Sequence, residues 1–388
     1  MYLEYTVNAR QVERKFQREM NKQGFYRTAK GNINRLVEYG KTHVFVITEK
    51  GANPIELERT SIRKAITFFF FKRTAIRSDF KIFSEFTSAM FAIIVHCFRD
   101  KSKLLKLKHG LFRVSLIGTR HWFSGLERSP DILSLLKSLG GKYVLFNYKS
   151  ILESPNCLRQ LDENDLFCIC DSGAFSLFNQ SKKDEKNEVY QPALFESELL
   201  DEMILEGYAQ FINKHKSNPR ILGFMPLDCI GNPQKTRENY KKLKELTDAH
   251  IYPVWQITDT LEELDRIVEK EPEMVAIGGC VPFLSSRKDF VRDKLKVITK
   301  RHPNVCFHGL GIANEMLLDF GIFSADSTAY LNARKWSDRK VYLPTGERIE
   351  APVEMSTMEI IAHNIKFLLG LENLEESQLS LLDMAQIA

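Results

Sequence analysis

Two aspartates, Asp171 and Asp326, each sit where an apolar run gives way to small polar residues, in Asp171-Ser172-Gly173 and Asp326-Ser327-Thr328. Two carboxylates facing one another across a cleft can divide labour: one attacks an anomeric carbon while the other handles the proton of an incoming or leaving group. Asp228, Gln256, Gly278-Gly279 and His308-Gly309 end similar apolar runs. One such residue is ordinarily a turn or capping group. Their recurrence in register points instead to one polar face shared by several loops.

The elements that must position them are short β-rich runs alternating with amphipathic helical stretches, the pattern of a parallel sheet with helices outside. The expected strands are Val114 to Ile117, Tyr143 to Phe146, Phe167 to Cys170, Ile221 to Leu227, Tyr252 to Gln256, Met274 to Ile277, Val305 to His308 and Ile322 to Ala325. Helical patterns fall at Ser197 to Lys214, Pro233 to Ala249, Leu261 to Lys270, Arg287 to Lys300 and Ala313 to Asp319. Eight such units predict an α/β chain forming a (β/α)8 TIM-type barrel, whose chemistry collects at the C-terminal ends of the strands because side chains fill the interior.

Three regions are expected: a basic α+β extension over residues 1–110, the barrel over 111–371, and a C-terminal tail or helix over 372–388. The extension reads as a helix from Ala9 to Gln23, a strand near His43 to Ile47, and further helix from Ile62 and from Phe83. Within it Phe68 to Phe71 lie beside Lys72, Arg73 and Arg77. Four consecutive rings cannot share one helix face, so most are expected in the core and the rest against the barrel or stacked on bases. The polar stretch Asn179 to Pro192 is expected to be a mobile loop near substrate, its alternative an ordered insertion.

Residues 1–110 hold 22 Lys and Arg against 10 Asp and Glu, whereas the remainder holds 33 against 40, so a +12 module precedes a −7 one. A segregated basic module is the electrostatic footprint of a polyanion-binding surface, and equally that of a solvated basic face. The longest apolar run, Phe86 to Phe98, is shorter than the about 20 residues of a bilayer span. With no secretory signal at Met1-Tyr2-Leu3-Glu4, a cytoplasmic location is expected. The seven cysteines are odd in number and scattered through apolar runs, which predicts reduced thiols without disulfides.

Asp171-Ser172-Gly173-Ala174-Phe175 resembles the Asp-Ser-Gly-Gly-aromatic motif of the tRNA-guanine transglycosylase family, and other pieces follow in the same order. Leu227-Asp228-Cys229 resembles its Phe-Asp-Glu-Cys loop, Val254-Trp255-Gln256 its Val-Gln strand end, and Ala276-Ile277-Gly278-Gly279 its Ala-Ile-Gly-Gly-Leu segment. His308-Gly309-Leu310-Gly311 is similar to Met-Gly-Val-Gly. Ala325-Asp326-Ser327-Thr328 with Asn332-Ala333-Arg334 resembles the nucleophile motif and its trailing Asn-Ala-Arg. The likeness covers residues 113 to 350.

That resemblance implies Asp326 as nucleophile and Asp171 as general base in exchanging guanine for a 7-deazaguanine, the 7-cyano form being expected. It further implies base binding by Ser172, Phe175, Asp228, Gln256, Gly278, Gly279 and His308, with Phe175 and His308 sandwiching the base; the alternative for His308 is a satisfied structural histidine. Arg334 is the expected phosphate clamp, its alternative a surface salt bridge.

The family's zinc motif after the nucleophile is missing, since no cysteine follows Cys306. No metal or other cofactor is expected, and Cys168 and Cys170, on alternate positions of a strand, are read as core. This departure and the basic module shift the expected substrate from tRNA to DNA, as in phage and bacterial relatives that place 7-deazaguanines in DNA. Helper proteins for strand opening are a further expected partner. A divergent tRNA enzyme, a non-catalytic nucleic-acid-binding partner and an unrelated barrel glycosidase are the competing readings. The last fits poorly with only three tryptophans, Trp122, Trp255 and Trp336.

Overall fold

A computed structural model describes residues 9–173 and 194–372 of the 388-residue chain. Eight parallel strands follow Gly118: β1 (Arg120–Ser124), β2 (Tyr143–Asn147), β3 (Phe167–Asp171), β4 (Ile221–Phe224), β5 (Val254–Gln256), β6 (Val275–Gly278), β7 (Phe307–Gly309) and β8 (Ser324–Ser327). Their order is β4-β3-β2-β1-β8-β7-β6-β5. Its two ends meet through a parallel bridge between Phe224, the last residue of β4, and Ile251 just before β5. There Phe224 N donates to His250 O and Tyr252 N to Phe224 O, both at 3.0 Å. The architecture is thus the (β/α)8 barrel expected from the alternation of patterns.

Which face of each strand points inward follows from packing. Val275 and Ile277 of β6, Phe307 of β7 and Ala325 of β8 are buried against Leu264, Val291, Leu295, Ile298 and Met316 of the outer helices. Side chains alternate along a strand, so Ala276, Gly278, His308, Ser324 and Asp326 share the inner face. The parallel register agrees, aligning Gln256 with Gly278, His308 with Ser324, and Asp326 with Trp122. On the far side of the ring it aligns Asp171 with Asn147.

The helices begin where local chemistry starts them. Pro233–Leu246 has Asn232 accepting from Lys235 N and proline at its first position, which satisfies one orphan N–H and spares another. Thr357–Gly370 opens on a capping box of Ser356 and Glu359.

The N-terminal unit, Leu3–Ile117, is a separate compact body. It holds the expected helix Ala9–Gln23, a four-stranded antiparallel sheet containing His43–Thr48, helices Arg59–Lys72 and Thr87–Cys97, and a three-stranded antiparallel sheet. Phe69 is fully buried, while Phe68 and Phe71 line a cavity of about 480 Å³ together with Phe83, Arg63, Lys64 and Thr67.

One expected barrel strand is corrected. Val114 belongs to Phe112–Leu116, the central strand of the three-stranded antiparallel sheet, between Thr74–Ile76 and Ser102–Lys106. The barrel starts instead at Arg120–Ser124, a strand with too many polar residues to read as β. Arg120 is buried there by a salt bridge to Glu372 Oε1 (2.5 Å) and by stacking on the Tyr143 ring, 3.6 Å from its centroid. The division between the units accordingly falls after Ile117 rather than Gly110. The expected helix at Ala313 starts at Met316, the one at Ile62 at Arg59, and the one at Phe83 at Thr87.

All seven cysteines are free thiols, and Cys168 and Cys170 are fully buried with their sulfurs 3.9 Å apart. No described helix is long and apolar enough to cross a membrane. Phe175, the Asn179 to Pro192 stretch and the tail beyond Glu372 lie outside the described residues.

Candidate active site

Asp326 is on the inner face of β8 and almost completely buried. Its Oδ1 accepts from Gly311 N at 3.1 Å, and Ser124 Oγ donates to Oδ2 at 3.4 Å. Gly311 has φ +72°, a left-handed conformation that costs glycine nothing and aims the amide at the carboxylate. Beside it His308 Nε2 lies 3.4 Å from Oδ1, while Nδ1 bonds Ser324 Oγ at 2.8 Å. Ser324 Oγ in turn donates to Met274 Sδ at 3.3 Å, which leaves Nδ1 as the donor of the pair. The ring is therefore locked with Nε2 directed at the carboxylate.

Asp171 ends β3, with Oδ2 accepting from Gly173 N at 2.9 Å. Burial, the charge of Asp228 and the charge of Asp326 push its carboxyl up to about 7. Asp228 lies beyond the end of β4, and burial pushes it up to about 6, partly offset by a hydrogen bond from Gln256 Nε2 (3.1 Å). Asp326 also acts on Asp228, so the three aspartates from β3, β8 and the loop after β4 share one electrostatic space. Like charges brought together out of water disfavour ionisation. Two of the three carboxyls consequently titrate close to neutrality, where a group can both take and return a proton.

Gly278 and Gly279 let the Gln256 amide lie flat on the end of β6. A Cβ on Gly278 would sit 2.8 Å from Gln256 Nε2 and 3.2 Å from Asp228 Oδ2, and one on Gly279, at φ +73°, 2.5 Å from Gln256 Oε1. Gln256 Oε1 and the buried Ser172 Oγ have no hydrogen-bond partner among the described residues. Buried polar atoms are nearly always satisfied. Two orphans at one strand-end face are what a polar ligand would satisfy.

The sequence-predicted residues thus divide. Asp171, Ser172, Asp228, Gln256, Gly278, Gly279 and Asp326 gather at the C-terminal ends of the strands. His308 joins them from below: its ring is fully buried beside Asp326, with Nε2 making no hydrogen bond among the described residues, so no face is open for the expected stacking on a base. Arg334 is half-exposed on a short helix and paired with Asp131 at 2.7 Å, the salt-bridge alternative.

Several positions escaped sequence reasoning. Thr236 and Asn239 are buried on an otherwise charged helix, and they hold the Asp228 loop: Cys229 N donates to Thr236 Oγ1 (2.9 Å) and Asn239 Nδ2 donates to Leu227 O (3.0 Å). Their three-residue spacing on that helix was the available signal. Ser124 lies on the unrecognised strand. His121, on that strand too, is fully buried with neither ring nitrogen partnered among the described residues, and burial holds it down to about 4, so it is neutral at pH 7. Glu127 is buried and pushed up by burial, yet accepts from Asn147 N (2.8 Å) and Nδ2 (3.0 Å) and so steadies the end of β2 beside Asp171.

Among the described residues no group of His, Cys, Asp and Glu is arranged to hold a metal ion. No family model matches the chain, and no curated protein matches it. Solved structures similar to it include the tryptophan synthase alpha chain from Legionella pneumophila (9% identity, TM-score 0.39, covering 67% of this chain and 94% of that one). The tryptophan synthase alpha subunit from Campylobacter jejuni matches at 12% identity and TM-score 0.36, over 65% and 95%. A protein from Aquifex aeolicus matches at 12% and 0.37, over 66% and 95%. At TM-scores below 0.5 these likenesses carry no argument about what the site does.

Proposed function

We propose that the chain is a DNA-guanine transglycosylase, a member of the tRNA-guanine transglycosylase superfamily that replaces guanine with a 7-deazaguanine, the 7-cyano form being the expected base. The observation that carries the reading is the braced carboxylate of Asp326 sharing its space with Asp171, a carboxyl held near neutrality. Asp326 Oδ attacks C1′ of the target nucleotide as the C1′–N9 bond breaks. Guanine departs with the bonding electrons and takes up the proton of the Asp171 carboxyl, which is left as a carboxylate. The Asp171 carboxylate then removes the N9 proton of the incoming base, whose N9 attacks C1′ and displaces Asp326, so two inversions give retention. The proton lost by the incoming base balances the one gained by guanine.

Asp228 and Gln256 suit the guanine edge. A carboxylate accepts from N1–H and the exocyclic amine, and an amide offers both a donor and an acceptor. The +12 charge of residues 1–110 supports a nucleic-acid substrate, and the missing cysteines after Cys306 favour DNA over tRNA. In duplex DNA the target must leave the stack at a cost of a few kcal/mol.

The test incubates the protein separately with DNA and with tRNA in the presence of labelled guanine or 7-cyano-7-deazaguanine, followed by mass spectrometry of the released nucleosides. Incorporation into DNA, lost in Asp326→Asn together with any covalent adduct, is the expected result. Incorporation into tRNA alone would replace the substrate assignment, and incorporation into neither would overturn the activity.

A further inference from the structure

We propose that the outer face of helix Ala9–Gln23 is a phosphate-binding surface for nucleic acid, with Arg10, Arg14, Lys15, Arg18 and Lys22 as its contacts; this rests on the reading that the chain acts on a nucleic acid. All five side chains are exposed, and none has an ion-pair partner among the described residues. On an α-helix they fall within an arc of roughly 140°, and Arg10, Arg14, Arg18 and Lys22 follow one another at intervals of about 6 Å.

The purity of this face comes from where the acids went. The helix contains two glutamates, and both are consumed by partners on other elements. Glu13 is buried and receives Arg59 Nε at 2.5 Å and Arg63 Nε at 2.7 Å, with Tyr39 OH at 3.1 Å. Glu19 takes His96 Nε2 at 2.9 Å and Arg99 Nη1 at 3.0 Å. Ordinary surface helices alternate charge so that neighbours at i and i+4 stabilise one another. This one aligns like charges at that spacing and withholds its acids from them, an arrangement that favours an external polyanion.

The occupant is nucleic acid rather than an anionic membrane because the helix has no apolar face left to insert. Phe16 and Met20 are buried in the core of the N-terminal unit, and the residues between the cations are amides such as Gln11 and Asn21. A membrane-surface helix needs an exposed apolar side.

The experiment measures fluorescence-anisotropy binding of the full chain to a labelled 20-base-pair DNA duplex between 50 and 300 mM NaCl, for the wild type and the triple variant Arg14→Gln, Arg18→Gln, Lys22→Gln. Each phosphate neutralised contributes about −0.9 to the slope of log K against log salt. The expected result is a slope shallower by about 2 to 3 in the triple variant. A control triple on the barrel, Lys241→Gln, Lys244→Gln, Lys296→Gln, removes equal charge from other exposed positions and should leave the slope unchanged.

Equal slopes for wild type and helix variant, with circular dichroism and melting unchanged, overturn the proposal. So does an equal loss in the control, or wild-type binding to phosphatidylserine vesicles in place of DNA. The assay needs no turnover, so a slope loss specific to the helix supports the proposal even if no base exchange is found. Exchange without such a slope loss removes the helix assignment alone.

Discussion

Asp171→Asn should make the protein more stable at pH 8 and leave its stability unchanged at pH 3. The carboxyl rises from 3.8 to about 7 in the folded state because it is partly withdrawn from water beside Asp228 and Asp326. At about 1.36 kcal/mol per unit, keeping it ionised in the fold costs at most about 4 kcal/mol. The asparagine removes that cost and keeps an oxygen for Gly173 N, giving back about 1 kcal/mol because its hydrogen bond is not charge-assisted. A net gain of about 2 to 3 kcal/mol is expected.

The sign follows from proton counting. Below pH 3.8 both folded and unfolded chains hold the proton and the carboxyl costs nothing. Between 3.8 and about 7 the unfolded chain releases it while the folded chain retains it, so wild-type stability falls as pH rises. Above about 7 the difference is constant. Urea unfolding of wild type and variant at pH values from 4 to 8 reads this directly, as a midpoint difference that widens up to about 7 at constant m. A variant equally or less stable at pH 8 would show that Asp171 is not held in a dry, like-charged space, and the proton chemistry assigned to it would fall with that.

Three further outcomes follow. In single turnover from a preformed glycosyl-enzyme, the rate of attack by the incoming base should rise tenfold per pH unit at acid pH and level off below about 7, because on the proposed mechanism only ionised Asp171 removes the N9 proton and Asp326, esterified in that state, no longer adds its charge; a profile flat from pH 5 to 9 contradicts the assignment. Gly279→Ala places a Cβ at a left-handed backbone position 2.5 Å from Gln256 Oε1, and should weaken base binding tenfold or more, about 1.4 kcal/mol, as read by KM for the incoming base with the melting point as a check on folding. His308→Gln removes the ring packed beside Asp326 and releases Ser324, so it should lower kcat at least tenfold with KM for the base unchanged; a KM effect alone would return His308 to base binding.

The alternation of strand and helix was legible because it is local: a period of two and a period of 3.6 can be counted along the chain without knowing what touches what. The strand-end residues Asp171, Asp228, Gln256, Gly278 and Asp326 were legible for the same reason, since a polar residue closing an apolar run lies at the barrel mouth whatever its neighbours are. Phe112–Leu116 had the composition of a barrel strand, but antiparallel pairing with Thr74–Ile76 and Ser102–Lys106 assigned it to the other unit. Arg120–Ser124 looked too polar for a strand because the group that makes burial of Arg120 tolerable, Glu372, lies at the opposite end of the barrel sequence.

The same limit applies within the site. That Asp326 needed support was implicit in the role proposed for it, but Ser124, Gly311 and His308 as the groups around it depend on which strands become neighbours. Arg334 carried a motif position and went to Asp131 because the nearest carboxylate in space, which no spacing along the chain encodes, takes the guanidinium. Sequence by itself determined the kind of barrel and the residues at its mouth. Tertiary structure decided their partners, their burial and therefore their proton affinities, because those quantities belong to contacts between residues far apart along the chain.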